Sequence, residues 1–92
     1  MTQLLVDAGA NPSDISALLE ISRRESSWNP SAANPKSSAR GLWQFLDGTR
    51  KNYGIKIDAD PLTQTKAALQ YIKDRYGTPQ KALQFHNQKG WY

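Results

Sequence analysis

The sequence predicts a small, mainly α-helical domain that occupies the whole chain, residues 1–92, with 1–10 as a lead-in segment. Helix-start signals recur, in which a polar capping residue precedes a proline and then apolar residues at helical spacing. Strand signals are weak along the chain. Ninety-two residues, 38% of them hydrophobic, are enough for one hydrophobic core and leave no room for a second domain.

Two elements are predicted before residue 29. Segment 2–8 could be a short helix or a lead-in strand, and Gly9 marks its end. Segment 11–28 has the clearest helical pattern, because Asn11-Pro12 provides a cap and the apolar residues that follow share one face, namely Ile15, Leu18, Leu19 and Ile21. The helix is predicted to run toward Ser27 and to end at about Glu25-Ser26.

The middle of the chain is predicted to be irregular. Segment 29–40 is rich in Ser, Ala, Asn and Pro and contains two Asn-Pro steps, which discourage helix. Segment 41–46 is apolar but too short to assign from its periodicity. A short helical turn is expected over 47–54, and 53–58 could form a short extended piece.

Two further helices are predicted in the second half. Asp60-Pro61 begins a helix that Gly77 ends, and Thr78-Pro79 begins a last helix that runs to about Gln88. The first of these carries an apolar stripe made of Leu62, Ala68, Leu69, Ile72 and Tyr76. The pattern therefore predicts a small helical bundle.

Glu25 is the charged residue whose position is least expected. At 100° per residue it projects between Leu18 and Ile21, on the apolar face of its helix. Apolar surroundings and the C-terminal end of the helix dipole both favour the neutral carboxyl, so its pKa should rise and it could donate a proton near neutral pH. The alternative is an ordinary glutamate, solvated or paired with Arg24 or Arg40.

Composition excludes several classes of site. The chain has no cysteine and a single histidine, His86, so disulfides and thiolate metal sites are impossible, and we expect neither a metal nor a cofactor. A lone histidine is more often a surface or packing residue than a catalytic base. The net charge of +4 favours an anionic partner, but the lysines are scattered, which argues against nucleic acid.

Two sequence runs strengthen the functional interpretation of Glu25. Residues 25–30 read E-S-S-W-N-P, Asn34-Pro35 follows, and residues 41–44 read G-L-W-Q. These runs closely resemble the E-S-x-W-N-P and G-L-M-Q motifs of the lytic transglycosylase SLT family, lysozyme-like enzymes that cut bacterial peptidoglycan. The similarity extends over about residues 13–92, through Y-G at 76–77 to the final G-W-Y. The family's A-Y-N-A-G motif is degenerate here, since Phe85-His86-Asn87 stand in its place.

The resemblance implies a lysozyme-like fold of the α+β superfamily with a substrate cleft, and it implies that Glu25 is the sole catalytic acid and base. The family reaction splits the bond between N-acetylmuramic acid and N-acetylglucosamine. The acid protonates the glycosidic oxygen, and its carboxylate then takes the proton of the sugar's C6 hydroxyl, which leaves a 1,6-anhydro end. An aspartate such as Asp47 or Asp58 could instead be the second acid of a hydrolytic lysozyme.

The resemblance also implies substrate contacts. Gln44 corresponds to the Gln of the second motif, and its alternative is an ordinary buried amide. Trp43 replaces the family's Met and suits stacking on a sugar, although it could equally be a core residue. Substrate contacts are further expected for Asn34, Phe85, Asn87 and Tyr92.

The degenerate last motif leaves one gap. His86 stands where the family has a tyrosine whose hydroxyl orients the acid, and Tyr71, Tyr76 or Tyr92 could supply a hydroxyl instead. This gap is the best argument for the first rival hypothesis, a non-catalytic peptidoglycan-binding module. A basic helical adaptor is the second rival.

The expected partner is the peptidoglycan glycan strand, bound by a monomer without nucleic acid or membrane. We expect action at the bacterial cell wall, by a secreted, periplasmic or phage virion-associated protein. The sequence has no bilayer-spanning apolar run and no signal-peptide pattern at its N-terminus, so export would depend on a signal outside it.

Overall fold

Five α-helices and one short 3₁₀ helix form within residues 1–90, the part of the chain that the computed structural model describes. They are α1 (Thr2–Asp7), the 3₁₀ helix (Pro12–Asp14), α2 (Ile15–Ser26), α3 (Asp47–Asn52), α4 (Pro61–Tyr76) and α5 (Pro79–Lys89). The mainly helical fold class is confirmed, and segment 2–8 forms a helix rather than a strand. None of these helices has the length and apolar character needed to cross a membrane.

The predicted caps explain where the helices begin. The Asp60 carboxylate accepts a hydrogen bond from the Thr63 amide, and the Thr78 hydroxyl accepts one from the Lys81 amide at 3.2 Å. Each cap satisfies an amide that has no partner inside its own helix, so α4 and α5 begin at the prolines that follow. Gly77, with φ +85°, then turns the chain from α4 into α5.

The hydrophobic core surrounds α2, which packs against both α1 and α5. Leu18 and Ile21 of α2 are fully inaccessible to solvent, as is Ala82 of α5. Burial of a leucine or isoleucine side chain contributes about 1.5–3 kcal/mol, so this face of α2 contributes much of the stability of so small a domain. Glu25 therefore lies on the helix that the hydrophobic core surrounds.

Loop 29–46 is ordered by local backbone pairing. Two isolated antiparallel bridges join Ala33 to Arg40 and Arg40 to Phe45. Arg50 of α3 is only 6% exposed, and its guanidinium donates to the Phe45 carbonyl at 2.5 Å and to the Ser38 carbonyl at 3.1 Å. These contacts hold the second half of the loop against α3.

One expected segment end agrees with the structure and one expected element is corrected. The helix predicted to run toward Ser27 ends at Ser26, where Ser27 and Trp28 both adopt left-handed backbone conformations. The extended piece suggested over 53–58 does not form, because the chain after α3 makes successive turns that are closed by the amides of Gly54 and Ala59. No neighbouring strand in the described residues offers this segment a pairing partner.

Candidate active site

Glu25 lies in the last turn of α2 and lines a cleft of about 460 Å³. Its side chain is 16% exposed, so it combines burial with access to the cleft. Asn34 and Gln44, two of the predicted substrate contacts, line the same cleft. The full lining consists of Arg24, Glu25, Asn34, Ser37, Ala39, Gln44 and Leu46.

Burial raises the pKa of the Glu25 carboxyl, and the adjacent His86 ring opposes this effect without overcoming it. The alternative pairing with arginine does not occur. The Arg24 guanidinium donates to Glu20 at 2.8 Å and to Asn87 at 2.5 Å, and Arg40 donates to backbone carbonyls of the loop. Glu25 is therefore free of the permanent positive charge that would keep it ionised.

His86 is the site residue that the sequence analysis missed. Its Nε2 atom lies 2.9 Å from Glu25 Oε1, and its side chain is 11% exposed. A signal was present in the sequence, because His86 stands where the family motif has the tyrosine that orients the acid. The contact joins residues 61 positions apart and exists only because α5 packs on α2.

Gln44 has both a structural and a cleft-facing role. Its amide nitrogen donates to the carbonyls of Gly41 at 2.8 Å and Ala32 at 3.1 Å, which ties the two ends of loop 29–46 together. Because Gln44 also lines the cleft that contains Glu25, these hydrogen bonds to the backbone fix the residue at that position. Gln44 is therefore both an amide that is hydrogen-bonded to the backbone and a residue of the cleft lining.

Backbone strain is concentrated in the two family-like motifs. Within the described residues, the non-glycine positions with positive φ are Ser27 (51°), Trp28 (63°) and Gln44 (51°). Such conformations cost of the order of 1–3 kcal/mol each and tend to cluster at functional sites. Here they terminate α2 just after Glu25 and shape the loop that bears Gln44.

Trp43 lies in the core, the alternative that its sequence context left open. It is 1% exposed, and its indole N–H donates to the Thr65 hydroxyl at 3.2 Å inside the protein. A sugar ring cannot stack on a face that neighbouring side chains already cover. Trp43 is therefore a packing residue and not a stacking surface.

Phe85 and Asn87, two further predicted contacts, lie outside the cleft lining. Phe85 is half-buried and packs on Tyr76, with ring centroids 5.4 Å apart. Asn87 is exposed and binds Arg24. Their contact with substrate stays a prediction, and Tyr92 lies outside the described residues.

The other carboxyl groups proposed as a second acid do not line the cleft of Glu25. Asp47 is 74% exposed and pairs with Arg50. Asp58 lines a separate hollow beside Asp60 and Gln64. Glu25 is the single carboxyl in the cleft lining, as far as the described residues extend, and these residues contain no cluster of three or more His, Asp or Glu suited to a metal ion.

Tyr71 and Tyr76, two of the three tyrosines suggested as hydroxyl donors, lie elsewhere. Tyr71 packs on Phe45 at 5.3 Å and on Tyr76 at 6.5 Å between ring centroids. Neither Tyr71 nor Tyr76 lines the cleft. Among residues 1–90, the recorded hydrogen-bond partner of the Glu25 carboxyl is therefore His86.

Comparison with known proteins agrees with the motifs. The transglycosylase SLT domain model matches residues 6–87. A membrane-bound lytic murein transglycosylase F of Shewanella sediminis (strain HAW-EB3) is 32% identical over 83 residues, which are 90% of this chain and 17% of that protein. A probable transglycosylase IsaA of Staphylococcus xylosus is 38% identical over 68 residues, which are 74% of this chain and 25% of that protein. No solved structure gives a significant match.

The chain thus spans about a sixth to a quarter of the length of these curated relatives. The family match, in contrast, covers nearly the whole chain and includes Glu25, Gln44 and His86. On these grounds the chain belongs to the transglycosylase SLT domain family.

Proposed function

We propose that this domain is a lytic transglycosylase that cleaves the glycan strand of bacterial peptidoglycan, with Glu25 as its catalytic acid and base. The observation that carries the proposal is the buried Glu25 carboxyl, whose pKa is raised and which lines a cleft between α2 and loop 29–46. A carboxyl that keeps its proton toward neutral pH is suited to protonating a leaving-group oxygen.

In the proposed reaction one carboxyl acts twice. Protonated Glu25 first donates its proton to the oxygen between N-acetylmuramic acid and N-acetylglucosamine, and the glycosidic bond breaks. The resulting carboxylate then accepts the proton of the C6 hydroxyl as that oxygen bonds to C1, which closes a 1,6-anhydro ring. Glu25 regains its proton, so the step consumes no water.

The surroundings of Glu25 favour this reaction over hydrolysis. A hydrolytic glycosidase normally needs a second carboxyl, about 5–5.5 Å away in retaining enzymes and about 6.5–9.5 Å away in inverting enzymes. Asp47 and Asp58 do not line the cleft, and Asp47 is engaged with Arg50. A single carboxyl in the described lining is sufficient for the anhydro-forming route.

The biological setting follows from this substrate. We infer that residues 1–92 act as one monomeric domain at the bacterial cell wall, on peptidoglycan strands, whether secreted, periplasmic or carried on a phage particle. The net charge of +4, spread over scattered lysines, suits diffuse attraction to anionic wall polymers. Such attraction weakens as salt is added.

The test is product analysis with matched carboxyl-to-amide variants. Native chain, Glu25→Gln and Asp7→Asn are incubated with purified peptidoglycan, and clearing and released muropeptides are followed by turbidity and mass spectrometry. Asp7→Asn is the control, because Asp7 is an exposed carboxyl at the end of α1, outside the cleft lining. We expect Glu25→Gln to lose about 100-fold or more of the activity.

Each outcome decides a separate point. Anhydro-muropeptides from the native chain support the transglycosylase reaction, since an anhydro end is one water lighter than a reducing end. Reducing ends alone would make the domain a hydrolase. Equal clearing by native chain and Glu25→Gln would remove Glu25 from catalysis, and binding without clearing would indicate a glycan-binding module.

A further inference from the structure

We propose that His86 is the positioning residue for Glu25: its Nε2–H group donates to Glu25 Oε1 and leaves Oε2 directed at the substrate. This inference rests on the proposed function, because it concerns how the same carboxyl is held. It starts from the 2.9 Å contact between the two side chains, which are 11% and 16% exposed. No sequence motif assigns this role to histidine.

A neutral imidazole suits both halves of the reaction. Its N–H group can donate to the carbonyl oxygen of the protonated carboxyl in the first step and to the carboxylate in the second. One hydrogen bond therefore persists while the other oxygen, Oε2, gives up and regains the proton. A lysine or arginine in this place would hold Glu25 ionised and prevent the first step.

The arginines near the pair are engaged with other partners. On α2, Arg24 is turned toward Glu20 and Asn87. On α4, Arg75 lies over the rings of Tyr71 and Tyr76, 5.9 Å and 5.6 Å from their centroids.

Two further arginines lie on α2 and in loop 29–46. Arg23 binds the Glu20 carboxylate, and Arg40 donates to loop carbonyls. On α5, Lys81 and Lys89 are exposed. The positive charge that lowers the pKa of Glu25 is that of His86.

The position of His86 is fixed from both ends of the α2–α5 contact. At the start of α5, Gln80 donates to the Ser13 carbonyl at 3.2 Å and to the Asp14 carboxylate at 3.0 Å. At its other end, Asn87 accepts from Arg24 at 2.5 Å. These hydrogen bonds fix the position of α5 along α2. The imidazole of His86 is therefore held beside the Glu25 carboxyl by the packing of the two helices.

A pH dependence follows from the pair. His86 lowers the pKa of Glu25 both by its charge and by its hydrogen bond, against the raising effect of burial. Replacing His86 by an uncharged residue should therefore raise the pKa of Glu25 further, and the acid form should persist to higher pH. A residue with a purely structural role would not move this limb of the pH profile.

The experiment compares His86→Phe, which removes the donor, with His86→Tyr, which restores a hydroxyl, and with His86→Gln, which keeps an amide donor. Gln84→Ala, at an exposed position of α5, is the matched control. The rate of muropeptide release is measured against pH, and thermal unfolding identifies any variant that fails to fold. We expect His86→Phe to lose about 10–100-fold in kcat with little change in KM, because a misplaced catalytic group costs rate.

The two substitutions that keep a donor sharpen the test. His86→Tyr and His86→Gln should recover most of the rate, and the alkaline limb should move to higher pH in all three variants, because each of them removes the charge of the imidazole. A carbon-13 NMR titration of the Glu25 carboxyl in native chain and His86→Gln reads the same coupling without any activity. An unchanged Glu25 titration, or an unchanged rate and pH profile in His86→Phe, overturns the inference.

Failure of the inference is distinguishable from failure of the proposed function. If His86→Phe behaves as the native chain while Glu25→Gln is inactive, Glu25 is catalytic and His86 does not position it. If Glu25→Gln retains full activity, the proposed function fails, and the NMR titration still decides whether the two side chains are coupled.

Discussion

Gly41, the first residue of the G-L-W-Q run, provides a direct test of how loop 29–46 is anchored to α4. Its backbone φ is +86°, and a Cβ atom placed on it would lie 2.3 Å from Gln64 Oε1 and 3.0 Å from Gln64 Cδ. We therefore predict that Gly41→Ala destabilises the domain far more than a glycine substitution in an open turn does.

The magnitude follows from what Gln64 does. Its side chain is nearly buried, at 8% exposure; its Oε1 accepts from the Leu42 amide at 2.9 Å, and its Nε2 donates to the Ala59 carbonyl at 2.7 Å. A left-handed alanine costs about 1–2 kcal/mol, and displacing Gln64 adds about 1 kcal/mol for each bond lost, which makes about 3–4 kcal/mol in total. In a domain of this size each kcal/mol lowers Tm by about 4–8 °C.

Gly9→Ala is the matched control, because Gly9 has φ +91° and a Cβ there would meet nothing within 4 Å. It should cost only the backbone strain of about 1–2 kcal/mol. Urea unfolding followed by tryptophan fluorescence measures both variants. Equal losses in Gly41→Ala and Gly9→Ala would refute the reasoning, since they would mean that Gln64 moves aside without cost.

Three further predictions concern single side chains. Glu25→Gln should stabilise the fold by about 0.5–2 kcal/mol at neutral pH. Burial raises the pKa of Glu25 above its ordinary 4.5, so the native state loses stability as the pH rises from 4.5 through the raised pKa. The stability gained by Glu25→Gln should therefore vanish below pH 4.5. In the same urea unfolding experiments Glu20→Gln should instead destabilise the fold at neutral pH, because Arg23 and Arg24 hold the pKa of Glu20 at about 2. Trp43→Phe should cost about 1–3 kcal/mol of unfolding free energy without lowering cleavage per folded molecule, since Trp43 is a core residue bonded to Thr65; a selective loss of cleavage would contradict its assignment to the core.

The sequence was most informative where structure depends on local chemistry. The Asp60-Pro61 and Thr78-Pro79 pairs predicted the starts of α4 and α5, because a capping oxygen and a proline act on the first turn alone. The helical projection of Glu25 was equally local. It needed only the pitch of a helix and the apolar residues on that helix.

The sequence was least informative where the outcome depends on packing between distant segments. Segment 41–46 was too short to show a period, so the burial of Trp43 could not be distinguished from exposure in the cleft. The contact of His86 with Glu25 spans 61 residues and depends on the docking of α5 on α2. No local sequence pattern around a single histidine predicts such a contact.

The position of Glu25 also explains how a histidine from another helix can serve as its hydrogen-bond partner. The face of α2 that buries Leu18 and Ile21 is the face that raises the pKa of Glu25, so core formation and acid strength have the same origin. An adjacent cation on α2 would cancel that effect, and Arg24 is in fact directed to Glu20 and Asn87. A titratable donor from α5 satisfies the buried carboxyl without fixing its charge. Packing of α5 on α2 thus sets both the stability of the core and the geometry of the acid, so substitutions that shift α5 should alter both together.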